Sequence, residues 1–233
     1  MFSGAIWPFG IHMPATPVQE GLRFERGSGI LFGDASGRPP VIRRLLIIQV
    51  PDTSGKRGMP LMSRPIDLMV NALNALGEGL FQSSAIYLHA APMFHLANGA
   101  AMYSLLLSGG SNIMIQGFTP EGVMAAIQSE RVTDALLVPT MIQMLVDHPA
   151  IGSYDLSSLK HVIYGASPIS DAVLGRAMAA LPNVEFTQAY GMTELAPIAT
   201  LLHWKEHIGE GRAKGRHRAA GRATLGCEVR QIP

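Results

Sequence analysis

The chain has 233 residues, of which 48% are hydrophobic and 15% are charged, and its formal net charge is +1. A chain this long and apolar can bury a sizeable core, which excludes global disorder as its native state. The near-neutral charge gives no overall attraction to nucleic acid or to anionic lipid. The single cysteine, Cys227, excludes an internal disulfide framework and fits a reducing compartment, for which we expect the cytoplasm.

Residues 1–60 form a first segment that is rich in Gly, Pro and Arg and has weak hydrophobic periodicity. Within it, only the run VIRRLLIIQV predicts a strand, over residues 45–50. We otherwise expect an irregular N-terminal segment, followed by one folded unit over residues 61–233.

The pattern becomes regular from Ile66 onward. Periodic apolar spacing, capping residues and helix breakers predict helices over residues 66–79, 94–110, 119–131, 140–148 and 170–181. Short apolar runs predict strands over residues 85–90, 112–115, 134–139, 161–165 and 183–191. This alternation predicts an α/β fold, with a mostly parallel sheet flanked by helices.

A stretch without any charged residue lies between Glu78 and Glu121. It is interrupted by polar and helix-breaking residues, among them Pro92 and His95, so no continuous run of about 20 apolar residues survives. We therefore predict a buried strand, helix and strand here, and no membrane span.

Three polar turns each follow a predicted strand directly: Ala90–His95, Gly165–Ser170 and Tyr190–Glu194. In open sheets with parallel strands, ligands bind beyond the carboxyl ends of the strands. We therefore expect the three turns to lie at one edge of the sheet and to form the ligand site.

The run QAYGMTE, residues 188–194, carries the most chemistry. Gly191 permits a tight backbone, and Tyr190 offers a flat apolar face to a nucleotide base. Thr193 can donate to a phosphate oxygen, and Glu194 can hold Mg²⁺ beside phosphate. The run thus indicates a nucleotide site, and the alternative is an ordinary polar turn with Glu194 in solvent.

These residues also resemble the motifs of the adenylate-forming acyl-CoA synthetase superfamily. Tyr190–Glu194 looks like the family's Tyr-Gly-x-Thr-Glu motif, Gly165–Pro168 resembles its adenine-binding glycine turn, and Pro92–His95 resembles its Pro-x-Phe-His segment. The order and separation of the motifs suit the family, and the resemblance covers about Leu68 to Val229. It implies a partial large N-terminal domain of an acyl-CoA synthetase-like fold.

The resemblance implies a role for each matching residue. Thr193 would contact the nucleotide phosphate, Glu194 would ligate Mg²⁺, and His95 would lie between the acyl pocket and the phosphate; these three are the catalytic candidates. For His95, the residues alone leave a buried core histidine as the alternative. The implied adenylate-binding residues are Gly165, Ala166, Ser167, Gln188, Ala189, Tyr190, Gly191, Met192 and Thr193.

The reaction that the resemblance implies is ATP-dependent ligation of an acid to CoA. A small carboxylic or fatty acid attacks the α-phosphorus of ATP, which gives acyl-AMP and pyrophosphate, and the CoA thiolate then displaces AMP. ATP, Mg²⁺ and CoA are the implied cofactors and co-substrates, no nucleic-acid partner is implied, and a homo-oligomer stays open. The protein would contribute positioning and charge neutralisation.

The sequence departs from the family pattern in two places. The nearest counterpart of the family's phosphate loop, Thr53–Pro60, carries Lys56 and Arg57 in place of a hydroxyl pair. The family's ribose-binding Asp and its lysine-bearing C-terminal domain find no counterpart before Pro233. We therefore expect a truncated relative with doubtful activity, and a non-catalytic acyl- or adenylate-binding remnant is the alternative.

A zinc hydrolase is a weaker alternative, because His203, Glu206 and His207 match the pattern H-x-x-E-H. Two histidines four positions apart can bind Zn²⁺ from one helix face. A third ligand is not obvious, and Gly209 would soon end such a helix. We expect the basic segment from residue 203 onward to be a solvated face or loop.

Overall fold

The computed structural model describes residues 46–48, 61–63 and 65–229. Two short strands, β1 (Leu46–Ile48) and β2 (Leu61–Ser63), pair in antiparallel fashion. Strand β1 lies inside the strand predicted over residues 45–50. The counterpart of the phosphate loop, over residues 53–60, falls outside the described residues.

Helices and strands alternate from residue 65 onward, as the sequence predicts. The helices are α1 (Pro65–Gly77), α2 (Leu96–Ser108), α3 (Pro120–Glu130), α4 (Pro139–Val146), α5 (Asp171–Ala180) and the short α6 (Gly209–Ala213). The strands are β3 (Ile86–His89), β4 (Ser111–Met114), β5 (Asp134–Leu137), β6 (His161–Gly165), β7 (Glu185–Gly191), β8 (Ile198–Leu202) and β9 (Arg222–Ala223). All the predicted helices and strands from Ile66 onward are confirmed, whereas β8, β9 and α6 were not predicted.

Local side-chain chemistry sets the helix ends. The Thr119 side chain accepts a hydrogen bond from the Gly122 N–H at 3.0 Å, which caps α3 directly before Pro120. Ser170 caps α5 in the same way through the Val173 N–H. Helix α2 ends at Gly109, whose φ of 83° is left-handed and suits a residue without a side chain.

The main sheet has the strand order β4-β3-β5-β6-β7-β8-β9. Strands β4 to β7 are parallel to one another in this order, and β8 and β9 add to the edge in antiparallel fashion. The mostly parallel sheet is thus confirmed. The antiparallel return follows from the short connection after β7, because a parallel crossover needs about a dozen residues or more.

Both faces of the sheet are buried, which explains the nearly continuous apolar runs of the strands. On one face, Leu88 and Tyr164 pack in a cluster with residues of α3, α4 and α5. On the other face, Tyr87 and Ile163 pack with residues of α1 and α2. Helices therefore cover both faces of the sheet, and the carboxyl ends of the strands stay available for ligands.

The charge-free stretch between Glu78 and Glu121 contains β3, α2 and β4, in agreement with the predicted strand, helix and strand. Over the described ranges, none of the helices combines the length and apolarity that a membrane crossing requires.

Candidate functional site

The three predicted turns lie at one end of the sheet, beyond the carboxyl ends of its parallel strands. Strands β3, β6 and β7 run in the same direction, and each leads into one of the turns. Gly165 is the register partner of Ala189, so the second and third turns are direct neighbours. Strand β5 separates β3 from β6, which places the first turn about 10 Å from the second.

Close backbone approach explains two glycines of the site. A Cβ atom at Gly165 would overlap the carbonyl oxygen of Ala189 on the neighbouring strand. A Cβ atom at Gly191 would overlap the carbonyl oxygen of Pro197. Ala166, which follows Gly165, adopts a left-handed φ of 66°. The turn after β6 is thus a tight backbone feature that lies against β7.

Thr193 and Glu194 begin a short 3-10 helix, Thr193–Leu195, directly beyond β7. The Leu195 N–H donates to the Met192 carbonyl at 3.0 Å, which closes the turn. Glu194 is exposed and Thr193 is half-buried. The Tyr190 side chain is 47% exposed at the same end of the sheet. A carboxylate, a hydroxyl and an aromatic ring are therefore accessible within five residues.

His95 is exposed at the residue before α2, where its side chain makes no capping hydrogen bond. The alternative of a buried core histidine is therefore wrong. Its neighbour Leu96 packs in one small buried cluster with Leu68 and Ala196. Since Ala196 directly follows the 3-10 helix, this cluster brings the start of α2 beside the Thr193–Leu195 turn.

Gln188 is held by its neighbours on the sheet. Its side-chain carbonyl accepts a hydrogen bond from the Tyr164 hydroxyl at 3.3 Å. The same hydroxyl lies 3.2 Å from Nε2 of His207, and burial raises the Tyr164 pKa above its usual value. Burial, together with the nearby charges of His217 and Arg212, lowers the pKa of His207 to about 4. The Gln188 side chain is therefore held within the sheet, and its backbone lies between those of Tyr164 and Leu202 on the two neighbouring strands.

Sequence reasoning missed a buried polar group behind the first turn. His89 and Asn98 are each 1% exposed. The Asn98 side chain donates to the Ala91 carbonyl at 2.5 Å, and Nε2 of His89 lies 2.7 Å from Oδ1 of Asn112. The signal was present as isolated polar residues in an otherwise apolar stretch.

The structure contradicts the zinc alternative. His203 lies 3.4 Å from Glu78, His207 contacts Tyr164, and Glu206 pairs with Arg216. The three side chains of the H-x-x-E-H pattern thus contact three different residues and do not form one site. Throughout the part of the chain that the structure describes, no group of three His, Cys, Asp or Glu side chains could hold a metal ion.

Comparison with known sequences gives a consistent result. The family model described as AMP-binding enzyme matches residues 65–232. Feruloyl-CoA synthase of Amycolatopsis sp is 38% identical over 161 residues, which cover 68% of this chain and 32% of that protein. Medium/long-chain-fatty-acid–CoA ligase FadD8 of Mycobacterium tuberculosis is 34% identical over 155 residues, which cover 66% of this chain and 26% of that protein. The chain therefore spans about a third or less of the length of these relatives.

Solved structures show the same fold. The N-terminal domain of FACL13 from Mycobacterium tuberculosis aligns with a TM-score of 0.67 at 22% identity, over 81% of this chain and 46% of that one. The amide bond synthetase McbA from Marinactinospora thermotolerans aligns with a TM-score of 0.60 at 25% identity, over 71% of this chain and 32% of that one. The expected likeness to the N-terminal domain of acyl-CoA synthetases is confirmed.

Proposed function

Because the chain belongs to the AMP-binding enzyme family, we propose that it takes part in ATP-dependent ligation of a carboxylic acid to CoA. The acid carboxylate displaces pyrophosphate from ATP to form acyl-AMP, and the CoA thiolate then displaces AMP. Relatives named for feruloyl-CoA and for medium- and long-chain acyl-CoA support an aromatic or fatty acid as the substrate. The single cysteine supports a reducing compartment, such as the cytoplasm, as the place of this activity.

One observation carries the proposal: the shared packing of Leu96 and Ala196. These residues adjoin His95 and the Thr193–Leu195 turn, respectively, and they lie 100 positions apart in the sequence. Their place in one cluster supports a site in which the proposed acid-binding and phosphate-binding groups lie near each other. An ordinary polar surface turn would not need the start of α2 to pack beside it.

Each accessible group has a role in the proposed reaction. The exposed ring of Tyr190 stacks on the adenine, and the backbone of residues 165–167 lies along the edge of the base. The Thr193 hydroxyl donates to a phosphate oxygen. His95, exposed at the start of α2, orients the carboxylate of the acid toward that phosphate.

Glu194 fits the Mg²⁺ that accompanies ATP in this proposal. Its carboxylate supplies a hard oxygen donor, which Mg²⁺ prefers, and it is exposed beside Thr193. A bound Mg²⁺ neutralises phosphate charge and usually keeps further ligands from substrate and water, so one protein carboxylate is a suitable donor set.

Calorimetry on the full chain tests the proposal with AMP, with Mg²⁺–ATP, with ferulic acid and with dodecanoic acid. Glu194→Gln should weaken Mg²⁺–ATP binding about tenfold, the usual effect of losing one contact to a charged group, and should leave AMP binding without Mg²⁺ unchanged. Glu185→Gln is the matched control, because Glu185 is exposed at the opposite end of β7.

ATP–pyrophosphate exchange in the presence of either acid separates catalysis from binding. Exchange supports a competent enzyme, whereas binding of nucleotide and acid without exchange supports the non-catalytic alternative. A chain that binds neither ligand, or a Glu194→Gln variant that binds Mg²⁺–ATP like Glu185→Gln, contradicts the proposal.

A further inference from the structure

Two buried polar side chains lie behind the turn that carries His95. His89 is the last residue of β3, Asn98 lies in the first turn of α2, and both are almost fully buried. Buried polar groups are costly unless they are hydrogen-bonded, so each needs a partner in the fold.

Asn98 holds both ends of the turn. Its side-chain N–H donates to the Ala91 carbonyl at 2.5 Å, and its backbone N–H donates to the His95 carbonyl at 3.1 Å. The His95 N–H in turn donates to the Pro92 carbonyl at 3.2 Å. One residue therefore fixes the peptide groups on either side of the Pro92–Phe94 tip, and with them the position of His95.

His89 holds the start of the same turn, because it links the end of β3 to the neighbouring strand. Nε2 of His89 lies 2.7 Å from Oδ1 of Asn112, on the neighbouring edge strand β4. Burial lowers the pKa of His89, while the hydrogen bond with Asn112 opposes that shift. The other ring nitrogen, Nδ1, and Oδ1 of Asn98 are both buried and have no hydrogen-bond partner among the described residues. A neutral ring that carries its hydrogen on Nε2 donates to Oδ1 of Asn112, which ties the end of β3 to β4.

We propose that Asn98 is a positioning residue for His95, and that the hydrogen bond between His89 and Asn112 holds the start of the same turn against β4. The consequence for ligands rests on the proposed function, in which His95 orients the acid. Strand β5 separates this turn from the nucleotide-binding turns. Loosening Asn98 should therefore affect the acid and spare the nucleotide.

The full chain with Asn98→Ala tests the proposal by hydrogen–deuterium exchange and by calorimetry with ferulic acid and AMP. Loss of the Ala91 contact should speed exchange over residues 90–99 about tenfold. Ferulic acid affinity should fall about tenfold, and AMP affinity should stay within about twofold of the unmodified chain. Ser104→Ala is the matched control: Ser104 is equally buried in α2, but its hydroxyl donates to the Ala100 carbonyl of the same helix at 2.9 Å.

Asn112→Ala is the second variant, because Asn112 is only half-buried on an edge strand and its loss should be tolerated. It should speed exchange over the same residues to a smaller extent. Unchanged exchange over residues 90–99 in both variants overturns the proposal, as does a uniform rise that includes β6. A rise confined to residues 90–99 supports the positioning role even in a chain that binds neither ligand, an outcome that refutes the proposed function alone.

Discussion

The tight contact between Gly165 and the carbonyl of Ala189 gives a test at the scale of one residue. Gly165→Ala forces a Cβ atom into the backbone of β7, so we expect unfolding to become easier by about 1–3 kcal/mol and AMP binding to weaken. Urea unfolding and calorimetry measure the two effects.

Gly175→Ala supplies the comparison for this substitution. Gly175 lies in the middle of α5 with open space at its Cβ position, so alanine should stabilise the chain by about 0.5–1 kcal/mol. A Gly165→Ala variant with the same urea midpoint as Gly175→Ala would contradict this prediction. It would mean that β6 and β7 can move apart to admit a Cβ atom without a loss of stability.

Individual site residues were predictable to different degrees. The Thr119 side chain caps the backbone three residues further on, so local sequence was sufficient to predict it. Gly165 and Gly191, which end β6 and β7, could be predicted as tight backbone positions, but not the carbonyl groups that they approach. Asn98 acts on Ala91, and His89 acts on Asn112, which lies 23 positions away. A lone polar residue in an apolar stretch does not reveal such a partner until the sheet order is known.

At the scale of elements, Glu78 joins the end of α1 to the antiparallel edge of the sheet. Its side chain is 3% exposed. It accepts hydrogen bonds from the Arg222 guanidinium at 2.7 Å and from the Leu225 N–H at 3.0 Å. His203 lies 3.4 Å away. The buried carboxylate thus connects α1 to residues at the end of β8 and in and after β9.

Glu78→Gln removes this charge and should cost about 1–3 kcal/mol of unfolding free energy, below the usual range for a broken buried pair because Arg222 is more than half exposed. Glu210→Gln is the control, because its pair with Lys214 is exposed and should contribute less than about 0.5 kcal/mol. Denaturant titration measures both variants. Equal losses would mean that Glu78 does not link these elements.

The antiparallel strand β8 shows why some elements were not predicted from the sequence. Helices and parallel strands from Ile66 to Gly191 alternate with clear caps and breakers. The run Ile198–Leu202 offers only four apolar residues and one threonine between a proline and a histidine. Short apolar runs of this kind do not distinguish a buried strand from other buried segments by periodicity. Its pairing with β7 is a tertiary contact, which no local pattern encodes.

At the scale of the whole molecule, pH acts on the free energy of unfolding through two separate sets of groups. Burial keeps His207 and His89 neutral in the folded chain by lowering their pKa values. Ser157 and Arg131 lower the pKa of Asp155 to about 2, and Arg176 lowers that of Asp147. His207 therefore acts above about pH 4, and the carboxylates act below it.

The sign for His207 follows from proton binding. Between its usual pKa of 6.5 and its folded value of about 4, the unfolded chain binds a proton that the folded chain does not. Stability is therefore complete above pH 6.5, falls by up to roughly 3 kcal/mol as the pH drops to about 4, and is independent of this group below that. The Asp155 contribution is lost only at lower pH, as the carboxylate protonates between 3.8 and about 2.

Replacing His207 isolates its contribution. His207→Gln keeps an N–H that can donate to Tyr164 but removes the titrating ring, so the fall in stability between pH 6.5 and pH 4 should become shallower, with the part due to His89 remaining. Urea unfolding at pH 7, 5.5 and 4.5 measures the slope for both chains. Parallel slopes would mean that His207 is protonated in the folded chain without cost, which its 1% exposure and the neighbouring Arg212 charge oppose.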